Sequence, residues 1–148
     1  MKDIMIYESG NGGEISLKNG IIEETSAIFN QIYLSHFGGN IEANTAGDEQ
    51  EGEERQDWWG NSFLDTENQM NSNLERVLNE NTITSYGRNF IERAAKEDIE
   101  YLSDMAEIET IVSVIGVSKL KISHIINQTQ VNYTWDATKN EVIEEIII

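Results

Sequence analysis

His36 and His124 are the chain's two imidazoles, and with 27 carboxylates and no cysteine they bound the chemistry its side chains could perform. Thiolate nucleophiles, disulfides and cysteine-based zinc sites are excluded, and two histidines fall short of a histidine-rich metal centre. Glycoside hydrolysis needs two carboxyl groups about 5 to 9.5 Å apart, one with its pKa raised by burial. Chance pairs abound among so many acids, yet none is set apart in apolar surroundings. His36 precedes glycines at the end of a helical pattern, and His124 sits inside a strand-like run on the side of Leu120 and Ile122. There a hydrogen-bonded structural histidine is expected rather than a ligand. No nucleophile, base and orienter are marked, so the expectation is a non-enzyme without cofactor or metal.

The acids concentrate in one place. Residues 42 to 57 hold seven (Glu42, Asp48, Glu49, Glu51, Glu53, Glu54, Asp57) against Arg55, a balance of 1 − 7 = −6. A calcium loop needs oxygen ligands at its first, third, fifth and twelfth positions and glycine at the sixth. Counted from Asp48, Gln50 and Gly52 fall on the third and fifth, and the template fails. With almost nothing apolar to bury, the stretch reads as a solvated linker over 41–57 between an N-terminal hairpin and helix, 1–40, and a helical and antiparallel-sheet wedge domain, 58–148.

Directly after it comes "RQDWWGNSF", with Trp58 and Trp59 adjacent in a chain of three tryptophans. Neighbouring side chains diverge by about 100° on a helix and face opposite sides on a strand, so one apolar stripe cannot take both. One is expected to anchor in the core and the other at an interface, since each aromatic buries roughly 150 to 250 Å².

Charge restricts the partners. A net charge of −17 opposes a phosphate backbone, because no counterion release is available to favour binding, so nucleic acid is not expected. The sequence contains no 18-residue apolar run, and "MKDIMIYESGNGGE" lacks the apolar core of a signal peptide. A chain with no membrane partner, made and kept in the cytoplasm until it assembles, is the expectation.

The elements that must position these residues follow from periodicity. "DIMIYES" and "EISLKNGIIEE" alternate as strands, with glycine turns at Gly10 to Gly13 and at Asn19–Gly20, predicting a hairpin with a third short strand. Thr25 or Ser26 can cap a short amphipathic helix through Ile28, Ile32 and either Phe29 or Tyr33, which "HFGGN" ends with left-handed glycines. Met70, Leu74, Val77 and Leu78 share a second helix face. "SYGRNFIERAAKEDIEYLSDM" predicts a longer helix, its buried stripe running through Phe90, Ala94, Ile91 or Ala95, Ile99 and Leu102. Glu92 pairs with Arg88 and Lys96 at four-residue spacing on its wet side. Gly87 in its first turns costs about 1 kcal/mol against alanine and implies close packing or a later start. Beyond Met105 the period becomes two, predicting three or four antiparallel strands with turns at Gly116 and "DATKN", one face buried and the other partly wet. The class is therefore α+β: N-terminal hairpin and short helix, two central helices, C-terminal antiparallel sheet.

That order carries a resemblance. "NGIIEETSAIFNQIYLSHFGGN", "DWWGNSF", "NSNLERVL" and "IVSVIGVSKLKISHII" follow one another as in the small baseplate protein of Mu-like contractile phages, and the chain is more distantly similar to sheath-initiating wedge proteins of other contractile tails and of type VI secretion. The likeness spans roughly residues 4 to 127. It implies a structural role in the baseplate of a virion tail or phage-tail-like bacteriocin, assembled in the host cytoplasm. The implied partners are baseplate wedge proteins and the tail sheath, with the tube or hub as a further candidate, in multiple copies around a ring. The distant branch docks through a Glu-Pro-Arg motif, whereas this chain has no proline, and its nearest counterpart is Glu75 and Arg76 in "LERVL".

Contractile sheaths of this type, as the resemblance implies, are knitted by lent strands. The last segment, "EVIEEIII", suits such pairing: Val142, Ile143, Ile146, Ile147 and Ile148 are too apolar to remain free in water, while Glu141, Glu144 and Glu145 discourage uncontrolled association. Closure of the protein's own sheet by the same residues is the alternative. An acidic adaptor of an unrelated assembly and a lysozyme-like cell-wall hydrolase are the competing functions.

Overall fold

A computed structural model describes residues 1–8, 13–38, 63–69 and 72–148. The acidic linker, Trp58, Trp59 and Met70, and the expectations placed on them, lie outside the described residues.

The class is α+β as the sequence predicts. The N-terminal part differs from a hairpin with one added strand. Six short strands form three ribbons: β1 (Lys2–Ile4) with β6 (Glu24–Ser26), β2 (Ile6–Glu8) with β3 (Gly13–Ile15), and β4 (Leu17–Lys18) with β5 (Ile21–Ile22). They meet where Met5 N–H donates to the Glu23 carbonyl at 2.9 Å, Glu23 N–H to that of Ser16 at 3.0 Å, and Ser16 N–H to that of Met5 at 2.9 Å. Each strand therefore changes partner at its midpoint, and simple alternation fails there. Asn19 and Gly20, both at positive φ, close the β4–β5 turn as expected. Leu17, Ile21 and Ile22 of that ribbon stay exposed.

Helix α1 (Ala27–Phe37) follows at once. Its buried residues are Asn30, Ile32, Tyr33, Ser35 and His36, so the face turned inward is mixed rather than an apolar stripe. Asn30 explains part of this. Its side chain donates to the Ile4 carbonyl at 2.6 Å and to Asp3 at 3.0 Å and accepts from Ile6 N–H at 3.1 Å, fastening the ribbons to the helix. Gly38 caps the helix at φ −80°, not in the left-handed region predicted for it.

Helix α2 (Asn73–Glu80) buries Leu74 and Leu78, and α3 (Ser85–Asp98) buries Gly87, Ile91, Ala94 and Ala95. The predicted longer helix ends at Asp98 and continues as a 3₁₀ turn over Glu100–Asp104 that still delivers Leu102 to the core; Phe90 is only half-buried, stacked edge-on against Tyr86. Gly87 is close-packed. A Cβ there would meet the Thr82 carbonyl oxygen at 2.1 Å, so Gly87→Ala should cost about 1–3 kcal/mol in urea unfolding. Unchanged stability would mean the Thr82 segment yields.

Four antiparallel strands complete the chain in the order β10-β9-β8-β7: β7 (Ile108–Val114), β8 (Lys119–Ile126), β9 (Thr129–Asp136) and β10 (Glu141–Ile147). The turn at Asn127, φ 56°, falls inside a run the period-two reading had kept continuous. Val112, Leu120, Ile122, Val131, Tyr133, Trp135 and Val142 face inward and share one core with Ile32, Tyr33, Leu74, Leu78, Ile91, Ile99 and Leu102 from the helical side. Each such side chain contributes roughly 1.5–3 kcal/mol through burial.

Candidate functional site

Two parts of the molecule hold polar groups that packing alone does not explain: the buried seam between α1 and the sheet, and the sheet's two outer edges.

At the seam the two histidines meet. His36, one residue from the end of α1, and His124, in the middle of β8, approach with Nε2 to Nε2 at 2.8 Å and rings stacked, both fully buried. One nitrogen donates and the other accepts. His124 Nδ1 bonds the Thr110 hydroxyl of β7 at 2.9 Å, and His36 Nδ1 lies 3.7 Å from Asp98, an electrostatic contact rather than a hydrogen bond. Asp98 in turn accepts from the first amides of α2, Asn73 N–H at 3.0 Å and Leu74 N–H at 2.8 Å. Ser72 donates its hydroxyl to the His36 carbonyl and accepts the Glu75 amide at 3.4 Å, capping α2. Thus α1, α2, α3 and the sheet are held in register by one polar chain. Burial lowers the pKa of His36, against the opposing pull of Asp98, and lowers that of His124 further, with the His36 charge adding to it. Tyr133, beside the pair, is pushed well above its ordinary value by burial, then by Glu145 and Tyr33. Among the described residues no group of three or more metal-ligating side chains gathers here or elsewhere. Neutral and enclosed, the pair acts as a structural fastening, which agrees with the role expected for His124.

The edges differ from each other. Along β7, helix α3 closes the outer side. Arg88 Nη1 donates to the Val112 carbonyl at 3.2 Å and to Glu92 at 2.8 Å. Glu92 is held below the usual carboxylate range by Lys96, at 2.7 Å, with the Val112 amide and Arg88 assisting. The outward carbonyl of Val112 is thereby occupied. The first half of β7 borders a cleft of about 330 Å³ walled by Lys96, Glu100, Ser103 and Glu107.

At the opposite edge β10 has β9 as its one hydrogen-bonded strand among the described residues. Ile148 and Gln130 exchange both N–H···O bonds at 2.8 Å, so by the alternation of an antiparallel ladder the N–H and C=O of Ile147 point away from β9. The register shifts between Val142 and Glu144, leaving Ile143 as the extra residue of a bulge. Below the bulge Glu144 and Ile146 share the outer face with Ile148, while Glu145 and Ile147 turn toward the core side. Ile146 is 42% and Ile148 73% exposed.

The sequence-predicted interface residues therefore separate. Val142 is core, opposite Trp135, and Ile143 and Ile147 are half-buried, whereas Ile146 and Ile148 face solvent. Glu75 and Arg76 lie on α2, where Arg76 donates to Asn73 at 2.6 Å and pairs with Glu80 at 3.5 Å, far along the chain from β10. Residues 141–147 do close the protein's own sheet, and they also form its border. Asp98, Thr110 and the clamp of Arg88 and Glu92 on Val112 escape sequence reading. The four-residue spacing signalled that pair, but only as solvated surface. As for acid catalysis, the described carboxylates with displaced pKa values, Glu92 and Asp136, are both lowered, Asp136 by the Thr138 hydroxyl, then by its amide and by Lys119 and Lys139.

Among the described residues the fold defines an α+β chain with one sheet border bonded by α3 and one, β10, with no hydrogen-bonded strand beyond it. Comparison with family models, with curated proteins and with solved structures finds no match.

Proposed function

We propose that this chain is a structural component of a contractile-tail baseplate, on a phage or a phage-tail-like bacteriocin, whose sheet accepts a strand from the first sheath subunits. The observation that carries the reading is the asymmetry of the sheet: the β7 edge is clamped at Val112 by α3, whereas β10 directs the backbone of Ile147 outward beside exposed Ile146 and Ile148. β-augmentation takes its affinity from such main-chain groups and its register from alternate side chains. The exposed apolar ribbon with Leu17, Ile21 and Ile22 supplies a second surface, suited to a wedge protein on another side. Because β10 is already laddered to β9, it serves as acceptor rather than donor.

Proline tests this at one atom. Ile147→Pro removes an N–H that makes no bond to β9, so the protein's own ladder survives while an incoming strand loses a donor. Baseplates carrying the variant should bear bare tubes, whereas Ile147→Ala, which keeps the N–H, should still nucleate sheath. Full-length sheaths on folded Ile147→Pro baseplates, seen by negative stain, would refute the proposal.

A further inference from the structure

We infer that a strand adds to this sheet along β10 only, and that it is a basic extended segment placing Lys or Arg opposite Glu144 and apolar side chains opposite Ile146 and Ile148. This rests on β10 being the acceptor edge and adds what the partner must be.

The β7 edge is closed by chemistry rather than bulk. An arriving strand would have to take the Val112 carbonyl from Arg88, whose guanidinium is also held by Glu92 in a pair that Lys96 shares. At β10, although β2 packs near it, the outward N–H and C=O of Ile147 make no hydrogen bond among the described residues. The outer face of this border repeats acid, apolar, apolar at alternate positions (Glu144, Ile146, Ile148), and directly opposed pairs across an antiparallel or parallel junction decide which side chains are accepted. Inward of it on the same face lie Thr134, Asn132 and Gln130, with the Asn132 side-chain oxygen accepting from Ser123 at 2.7 Å and from the Gln130 amide at 2.6 Å. That polar floor offers the isoleucines no apolar neighbour, so their cover must come from outside the described sheet.

A second copy of this chain is the wrong occupant. Two β10 edges would bring Glu141, Glu144 and Glu145 of each copy together, on bodies that each carry −17. Like charges set opposite each other destabilise a strand pair, whereas a cationic strand gains at the same positions.

The test uses the full chain and two synthetic probes, Thr-Lys-Thr-Val-Thr-Val-Thr and its twin with Glu in place of Lys, each also in reversed order so that both strand directions are offered. Fluorescence anisotropy reads affinity, and amide exchange reads the location. A lysine probe should bind at least about tenfold tighter than its glutamate twin. It should slow exchange at the Ile147 amide and leave Val112 unchanged, and Glu144→Lys should reverse the preference. Equal binding of the twins, protection at β7, or no binding by any probe overturns the inference. The sheath reading stands or falls separately: a bound lysine probe together with normal sheaths on Ile147→Pro baseplates would keep the edge chemistry and remove the sheath.

Discussion

Lowering the pH from 7.5 to 5 destabilises the folded chain through His36 and His124. Burial holds both imidazoles below their ordinary value of 6.5, so both are neutral in the fold and take up protons once the chain unfolds below that pH. The stability they confer is complete above 6.5 and is lost as the pH falls toward their folded values, with a slope of up to about 1.4 kcal/mol per unit for each. Asp98, 3.7 Å from His36, offsets part of the loss for a first proton. A second would set two cations at the 2.8 Å Nε2 contact and abolish the bond there. Of the other groups around the pair, Thr110 and Ser72 do not titrate, and burial pushes the Tyr133 hydroxyl upward, away from this range. The lowered carboxylates Glu92 and Asp136 contribute above their unfolded values near 4 and lose that contribution only at lower pH, outside this window. Urea midpoints at steps of pH measure the effect. His124→Gln should flatten the dependence by about half, and a wild-type midpoint constant from 7.5 to 5 would show that the pair does not control acid stability.

Asp98→Ala is expected to cost about 2–4 kcal/mol, because one side chain serves as the acceptor for the start of α2 and as the neighbouring charge for His36. Its carboxylate is nearly fully buried, so water cannot replace it at the Asn73 and Leu74 amides. Those two amides should exchange faster in the variant than the rest of α2. Asp98→Asn keeps one acceptor oxygen and should recover at least half of the lost stability. Equal losses for the two variants in urea unfolding would assign the effect to the charge beside His36 instead of to the cap.

Much of the architecture was legible in the sequence because it depends on near neighbours. Periodicity of 3.6 marked α2 and α3, period two marked β7 to β10, and the inward set Leu120, Ile122, His124 and Ile126 followed from alternation alone. The turn at Asn19–Gly20 and the tight seat of Gly87 were equally local, since each reflects what one backbone position permits. The β8–β9 turn was missed because Asn127 carries no glycine or proline beside it, and its positive φ is stabilised by the pairing of the strands it joins.

Other features required the tertiary structure. No rule of spacing brings His36 to His124 across 88 residues, joins three ribbons at Met5, Ser16 and Glu23, or turns the Arg88 and Glu92 pair from a solvated helix face onto the backbone of Val112. Nor could it divide "EVIEEIII" into a core valine, a bulge at Ile143 and two exposed isoleucines, because a single inserted residue reverses which face every later side chain takes. Composition and periodicity determined that this is an acidic α+β chain ending in an apolar strand; which edge of the sheet remains able to bond was decided by long-range packing, since hydrogen bonding at a border depends on what lies beside it in space.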